Sequence, residues 1–532
     1  MTANLAELLT VAAATAPERV ALVEAGSGRS LTWDQVEEQV DRLARGLGEL
    51  GLVAGNRVVI ATANRPEFVV TYLATLRARL VAVPVNPRSA TGELVRMVAD
   101  CAARLIVADS TTILSARAVT AGLHDAVAAD PQLRARVAPP RLLALDCAPE
   151  DGEAEYAALL SREADPGVDG SPPARDPELL ALLLYTSGTS AQPRAAMLSH
   201  RALVANIEQA ARVRPPMVGP DDVVYGVLPM FHVYGLNAVL GQVLHQGATL
   251  VVAESFDPAA SLEQVERHRV TVLPVAPAVL AHWRSVEDVA PRLAGVRTVV
   301  SGAAPLPPDL SEEFRRRTGL TVHQGYGLTE AAPVVTSTLG SGTVKPGSVG
   351  VALPGVSLRL VDEGGDAPEG EDPGEILVAG DNLFDGYWPD GEDGPVDGWF
   401  ATGDVGFLDG DGDLFLVDRV KEIVIVSGFN VYPSEIEEVL RDTDGVAEAA
   451  VVGVPDERTG EALVAYVRAT GDASTWSAVE ARARDTCERR LARFKQPLRI
   501  EVVAQLPRTV TGKIAKGRLR DALRHRGDGL LE

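Results

Sequence analysis

From Leu179 to His200 the chain reads LLALLLYTSGTSAQPRAAMLSH. Thr186, Ser187, Gly188, Thr189 and Ser190 form one run of small and hydroxylated residues. So little side chain leaves backbone N–H groups open to a ligand and adds several hydroxyls. That composition suits a loop wrapping an anion such as a triphosphate. Pro193 breaks regular structure, Arg194 adds a fixed positive charge, and Ser199 can cap a helix beginning near His200. The loop is not of the Walker type, which needs a Gly-Lys pair before Ser or Thr; here Ala191 and Arg194 stand without one. An ordinary strand-to-helix turn shares this composition, so the stretch needs company before it implies chemistry.

Later stretches supply that company. SGAAPLP, from Ser301, ends a strand with Gly302, Ala303 and Ala304, small enough for a flat ring to lie on the backbone. QGYGLTE, from Gln324 to Glu330, offers the Tyr326 ring for stacking between Gly325 and Gly327, which permit unusual backbone angles. Thr329 adds a hydroxyl, and Glu330 is a hard oxygen ligand of the kind Mg²⁺ takes. Asp404, in GWFATGDVGFLD, can accept from paired hydroxyls. Asp409 to Leu414, DGDGDL, imitates a calcium loop, but Leu414 and Val420 stand where an EF-hand needs Gly and Glu. It reads as a polar hairpin turn.

In order and approximate spacing, these motifs resemble the adenylate-forming superfamily of acyl-CoA synthetases, non-ribosomal adenylation domains and luciferases. The usual loop there is close to YTSGTTGxPKG; this chain keeps Tyr185 to Thr189 and Pro193 and departs at Ser190, Ala191, Arg194 and Ala195. The resemblance runs from about Leu31 to Leu519. It implies that Gly302, Ala303 and Ala304 line an adenine pocket, that Tyr326 stacks on adenine, and that Asp404 binds the ribose. By the same resemblance Arg419 contacts the nucleotide, Lys421 is the hinge between two domains, and Gly428 lies beside the pantetheine tunnel. Lys513, in PRTVTGKIAK, matches the lysine that binds the carboxylate and α-phosphate during adenylation. His232, in LPMFHVYGLNAVL, stands where acyl-CoA synthetases place an aromatic or His beside the substrate carboxylate, and Val233 to Leu240 should face the acyl pocket.

The activity implied is an ATP-dependent acyl-CoA ligase using Mg²⁺ and coenzyme A. SGFNVYPSEIE favours a medium- or long-chain fatty acid, whereas FHVYGLN is as close to coumarate-type aryl-CoA ligases. A stand-alone amino-acid-adenylating domain is a further alternative, although His232 occupies the place of its Asp and no carrier domain follows. An impaired member that mainly binds is another, resting on the altered loop alone. Ala191 and Ala195, where Gly is usual, are expected to stiffen the loop or shift its shape, because Ala at positive φ costs about 1 kcal/mol. Arg194 keeps the charge that Lys would supply.

These residues must be carried by a large scaffold. The 532 residues are 46% hydrophobic, enough for two or more domains with sizeable cores. A net charge of −23 argues against nucleic acid as a partner, so an ATP site must be a local positive focus. Three scattered cysteines, Cys101, Cys147 and Cys487, fit neither a disulfide framework nor zinc, and a cytoplasmic home is expected. No long uncharged apolar run predicts a membrane span; peripheral membrane contact and a homodimer stay open.

Helix and strand signals alternate from Leu31: LTWDQVEEQVDRLARGLGEL, then RVVIATAN, PEFVVTYLATLRA and LVAVPVNP. Ala148 to Pro177 reads as an acidic surface linker. Strands are expected from Val223, Ala248, Val270 and Val296, and short β segments from Lys345 to Phe415. The fold class is therefore α/β. A large N-terminal domain, residues 1–420, holds two doubly wound sheets plus a small β-barrel subdomain. A smaller, mobile α+β domain, residues 421–532, follows.

Overall fold

The computed structural model describes residues 3–129, 137–161, 176–186, 194–304, 306–362, 366–368, 374–419, 424–431, 433–507, 514, 516, 519 and 523. Two compact units emerge, a first drawn from residues 1–418 and a second containing 419–532.

In the first unit, a seven-stranded sheet orders Ala154–Glu155, Arg141–Ala144, Leu105–Ala108, Arg57–Ala61, Val81–Pro84, Leu180–Thr186 and Arg194–Ser199. From the edge strand Ala154–Glu155 as far as Leu180–Thr186 the pairing is parallel. Parallel strands are covered on both faces, which is why Val81–Pro84 and Leu105–Ala108 are apolar and buried throughout. Helix Trp33–Glu49 packs against helix Pro66–Arg77. Thr32 and Gln35 close a capping box at its start, and Trp33, Val36, Val40, Leu43 and Leu47 bury one stripe at helical spacing.

The Ala148 to Pro177 linker expectation is corrected in part. Ala154–Glu155 is an edge strand and Tyr156–Ser161 a helix with Tyr156 and Leu159 buried. Leu159 packs where helix Trp33–Glu49 carries Gly46, so two apolar residues three apart anchor one helical turn. Residues 162–175 lie outside the described residues.

A second sheet follows Ser30–Thr32, Val20–Glu24, Thr249–Val252, Val223–Gly226, Val272–Val275, Thr298–Ser301 and Val322–Gly327. All four strands expected from Val223 onward are present. The β-rich stretch is antiparallel and continues this sheet through Val334–Ser337 and Ser348–Ala352. Turn 409–413 joins Phe400–Leu408 to Leu414–Arg419, with the Asp409 N–H donating to the Asp413 carbonyl at 3.1 Å. Lys345 Nζ lies 2.5, 2.7 and 3.3 Å from carboxylate oxygens of Asp409, Asp411 and Asp413. An ammonium thus holds the place a calcium ion would take.

The second unit pairs Phe429–Val431, Val424–Val426, Gly460–Ala469 and Val446–Asp456 in antiparallel order, with Arg499–Val503 parallel to Gly460–Ala469. Helices Pro433–Arg441 and Trp476–Arg490 bury Ile436, Leu440, Val479 and Ala483 against it. Among the described residues no helix is long and apolar enough to cross a membrane.

Candidate active site

Strand Leu180–Thr186 delivers the start of the expected anion loop, and strand Arg194–Ser199 receives its end. Thr186 and Arg194 are described and half-buried, with the Thr186 hydroxyl donating to the Arg194 carbonyl at 3.4 Å. Ser187, Gly188, Thr189 and Ser190 lie outside the described residues, as does Ala191. The Tyr185 hydroxyl ties the incoming strand to Asp100 Oδ2 at 2.7 Å. Ser199 accepts from the Ala202 N–H and starts helix His200–Ala211.

Strain at position 195 is corrected. Ala195 sits inside strand Arg194–Ser199, 1% exposed, and has no positive φ. Its Cβ packs into the core, so a glycine is not needed there.

Gly325 and Gly327 also differ from expectation. Neither has a positive φ. Both sit on strand Val322–Gly327, where a Cβ on Gly327 would come 2.1 Å from the Pro333 carbonyl oxygen and one on Gly325 2.9 Å from that of Thr336. Close approach of the neighbouring strand, not backbone angle, demands glycine here. Between them Tyr326 is buried, and its hydroxyl donates to Asp404 Oδ2 at 2.7 Å. Two motifs 78 residues apart in sequence thereby meet.

Gly302 stacks against a third motif. A Cβ there would lie 3.0 Å from the Tyr234 ring, whose hydroxyl is 3.4 Å from the Val300 carbonyl. Tyr234 opens an unusual π-helix, Tyr234–Gly241, directly after His232. Asn237 within it donates to the Leu203 and Ala332 carbonyls at 3.1 and 2.6 Å, gripping the widened turn from two sides. Ala303 follows Gly302 with φ 65°, a strained angle for a non-glycine residue. Ala304 comes next, partly buried. Burial pulls the His232 imidazole down to about 4, so the ring is neutral at pH 7.

Thr329 and Glu330 occupy a single turn, Thr329–Ala331. Glu330 Oε1 accepts from the Tyr387 hydroxyl at 2.5 Å, and the Glu330 carbonyl from the Phe384 N–H at 2.9 Å. No three acidic, His or Cys side chains among the described residues could cage a metal by themselves. A single carboxylate fits Mg²⁺ that brings phosphate and water oxygens with it, rather than a resident ion.

In the second unit, Gly428 has φ 82° and Ser427 φ 53°, the paired positive angles of a tight hairpin between Val424–Val426 and Phe429–Val431. Arg419 ends strand Leu414–Arg419, its side chain outside the description. Lys421 and Lys513 lie outside the described residues. Directly after Lys513, Lys516 Nζ pairs with Glu437 Oε1 at 2.7 Å, while Ile514 packs with the cluster of Val452, Tyr466 and Leu506.

Sequence reasoning missed Tyr387 and Lys516, and placed Tyr234 only within the stretch Val233 to Leu240. One signal could have found Lys516: the chain has 45 Arg and only five Lys, and four of those five, Lys421, Lys495, Lys513 and Lys516, fall after residue 420. Against that background Arg194 follows the chain's general usage.

Residues 9–388 match the AMP-binding enzyme family, and residues 435–513 match the AMP-binding enzyme C-terminal domain. A 4-coumarate–CoA ligase-like protein of Oryza sativa subsp. japonica is 34% identical over 95% of this chain and 90% of its own length. The long-chain-fatty-acid–CoA ligase of Bacillus subtilis is 30% identical over 97% and 94%, and the indoleacetate–CoA ligase of Aromatoleum aromaticum 34% over 92% and 93%. Among solved structures, the amide bond synthetase McbA of Marinactinospora thermotolerans superposes with a TM-score of 0.83 at 28% identity, covering 98% of this chain and 99% of that one. ATP-bound MatB of Rhodopseudomonas palustris gives 0.69 at 31%, with 98% and 99% covered.

Proposed function

The chain belongs to the AMP-binding enzyme family and is an AMP-forming acid–thiol ligase; from that premise we propose that it activates a medium- or long-chain fatty acid. An oxygen of the acid bonds to the α-phosphorus of ATP and pyrophosphate leaves. The sulfur of CoA then bonds to the acyl carbon and AMP leaves.

The residues divide that work. Asp404 holds the ribose, and the Tyr326 hydroxyl at 2.7 Å fixes the carboxylate that does so. Neutral His232 stands by the acid without adding charge that would favour the wrong ground state. Lys513 brings an ammonium to the developing charge in the first step and withdraws for the second as the chain turns about Lys421. Arg419 contacts the nucleotide and Gly428 flanks the pantetheine channel. Bound at Glu330, Mg²⁺ supplies charge neutralisation to the phosphates.

The observation carrying the fatty-acid reading is SGFNVYPSEIE together with the Bacillus subtilis relative spanning 97% of the chain. A second reading, an aryl acid, is favoured by the coumarate-type relative and by the Tyr234 ring beside Gly302. Screening carboxylic acids by CoA consumption decides. The fatty-acid reading expects the highest kcat/KM with saturated chains; a maximum with cinnamate-like acids hands the site to the aryl reading.

A further inference from the structure

Resting on the ligase reading above, we infer that Tyr387 is a positioning residue for Glu330, and that it works through a strap, Asp381 to Trp388, shared with the strand leaving the phosphate loop. The strap is sewn to its surroundings along three seams.

One seam runs along strand Arg194–Ser199. The Asp385 N–H donates to the Met197 carbonyl at 2.9 Å, the Met197 N–H to the Gly386 carbonyl at 3.0 Å, and the Trp388 N–H to the Ala195 carbonyl at 2.8 Å. Three backbone bonds make this short segment behave as an added strand, which fixes Tyr387 relative to Ala196. Gly386 is required at φ 91°, where a Cβ would also collide with the Gly391 carbonyl at 2.1 Å.

A second seam is ionic. Arg201, one residue into helix His200–Ala211, donates to the Asp381 carbonyl and pairs with Asp385 Oδ1 at 2.7 Å. Burial raises the Asp385 carboxyl while Arg201 pulls it back down. The third seam is Glu330 itself, held through its carbonyl by the Phe384 N–H and through its carboxylate by the Tyr387 hydroxyl. Phe384 is 1% exposed and packs edge-on against the Tyr387 ring at 5.1 Å, which limits the ring on that side.

The consequence is geometric. A carboxylate on a one-turn helix would otherwise sample several rotamers, and a lone ligand of that kind binds Mg²⁺ weakly. Donation from a phenol whose ring is clamped orients one oxygen and leaves the ligand's direction set before ATP arrives. Because the same strap is bonded to Ala195 and Met197, the carboxylate is held in register with that strand.

Tyr387→Phe removes the hydroxyl and keeps the ring, its stacking and every backbone bond. Binding of a fluorescent ATP analogue, titrated with Mg²⁺, should show the half-saturating Mg²⁺ concentration rise about tenfold, with analogue binding at saturating Mg²⁺, the KM for acid and the melting temperature unchanged. An unchanged Mg²⁺ midpoint overturns the inference. A lowered melting temperature with an unchanged midpoint assigns Tyr387 to stability alone and overturns it as well. Glu330→Gln, measured alongside, separates the two layers. If Glu330→Gln shifts the midpoint and Tyr387→Phe does not, the positioning role falls and the metal assignment stands. If neither shifts it, the assignment of Glu330 itself falls.

Discussion

Two residues are proposed to manage phosphate charge, and their surroundings are built on opposite plans. Glu330 sits in a one-turn helix with its carbonyl and carboxylate both engaged by a strap that is laced to a neighbouring strand. Lys513 precedes a stretch in which, among the described residues, Lys516 pairs with Glu437, and Ile514, Leu519 and Leu523 pack with Val452, Tyr466 and Leu506. The charge of the two regions differs as sharply. Residues 1–420 hold 32 Lys and Arg against 55 Asp and Glu, which accounts for the whole −23; residues 421–532 hold 18 of each. On the proposed roles, the metal ligand lies in an acidic body laced by backbone bonds, and the cation of the first half-reaction lies in a stretch of balanced charge. Many short bonds determine a fixed direction, whereas one exposed or partly buried ion pair contributes only about 1 kcal/mol and can be exchanged.

The comparison breaks most visibly at Lys513. Lys513→Ala should lower ATP–pyrophosphate exchange by two to three decades, since one positioned charge at a developing phosphate charge is worth about 3–4 kcal/mol. Exchange at the parental rate would mean that the second region does not carry the cation. The next effect is smaller. Glu437→Gln keeps the shape of the tether and removes its charge, and should slow exchange about fivefold, the equivalent of about 1 kcal/mol. A variant as fast as the parent would leave Lys516 with no part in placing its neighbour.

A third contrast concerns acid. The first unit buries His200, whose Nδ1 accepts from the Leu5 N–H at 3.2 Å and whose pKa burial lowers to about 4. The unfolded chain binds that proton near pH 6.5, so the folded state loses stability as pH falls from about 6.5 to about 4. The shift corresponds to about 3 kcal/mol at most. In urea titrations, His200→Gln, which retains an acceptor but does not titrate, should flatten the fall of the first transition across that window. Residues 421–532 lie apart from His200 in the chain, and the substitution should leave their transition where the parent's is. Parallel curves for parent and variant would remove His200 from the account.

Much of the fold was legible because its signals are local. The helical period from Leu31 to Leu50, the helix of PEFVVTYLATLRA and the strand of LVAVPVNP depend on local pattern alone. The motifs fixed which residues to watch but not how they meet. That Tyr326 reaches Asp404, or Tyr234 the backbone of Gly302, depends on strand order, and a strand's neighbours are not written in its own residues. The glycines of QGYGLTE suggest unusual backbone angles, whereas close approach is the cause, since both needs select the same residue. Helix Tyr156–Ser161 escaped because six residues give too short a period to read. Tyr387 escaped because its motif fits an ordinary turn, and its partner is 57 residues away.

The most direct test gives Lys513→Ala a synthetic acyl-adenylate and CoA, and measures thioester formation. A fixed ligand and a travelling cation predict a rate close to the parent's, because the ammonium serves the first half-reaction and has left before the second. A fall of two to three decades here, equal to the loss in pyrophosphate exchange, would show that Lys513 stays in place through both steps and would contradict the division of labour between the two regions.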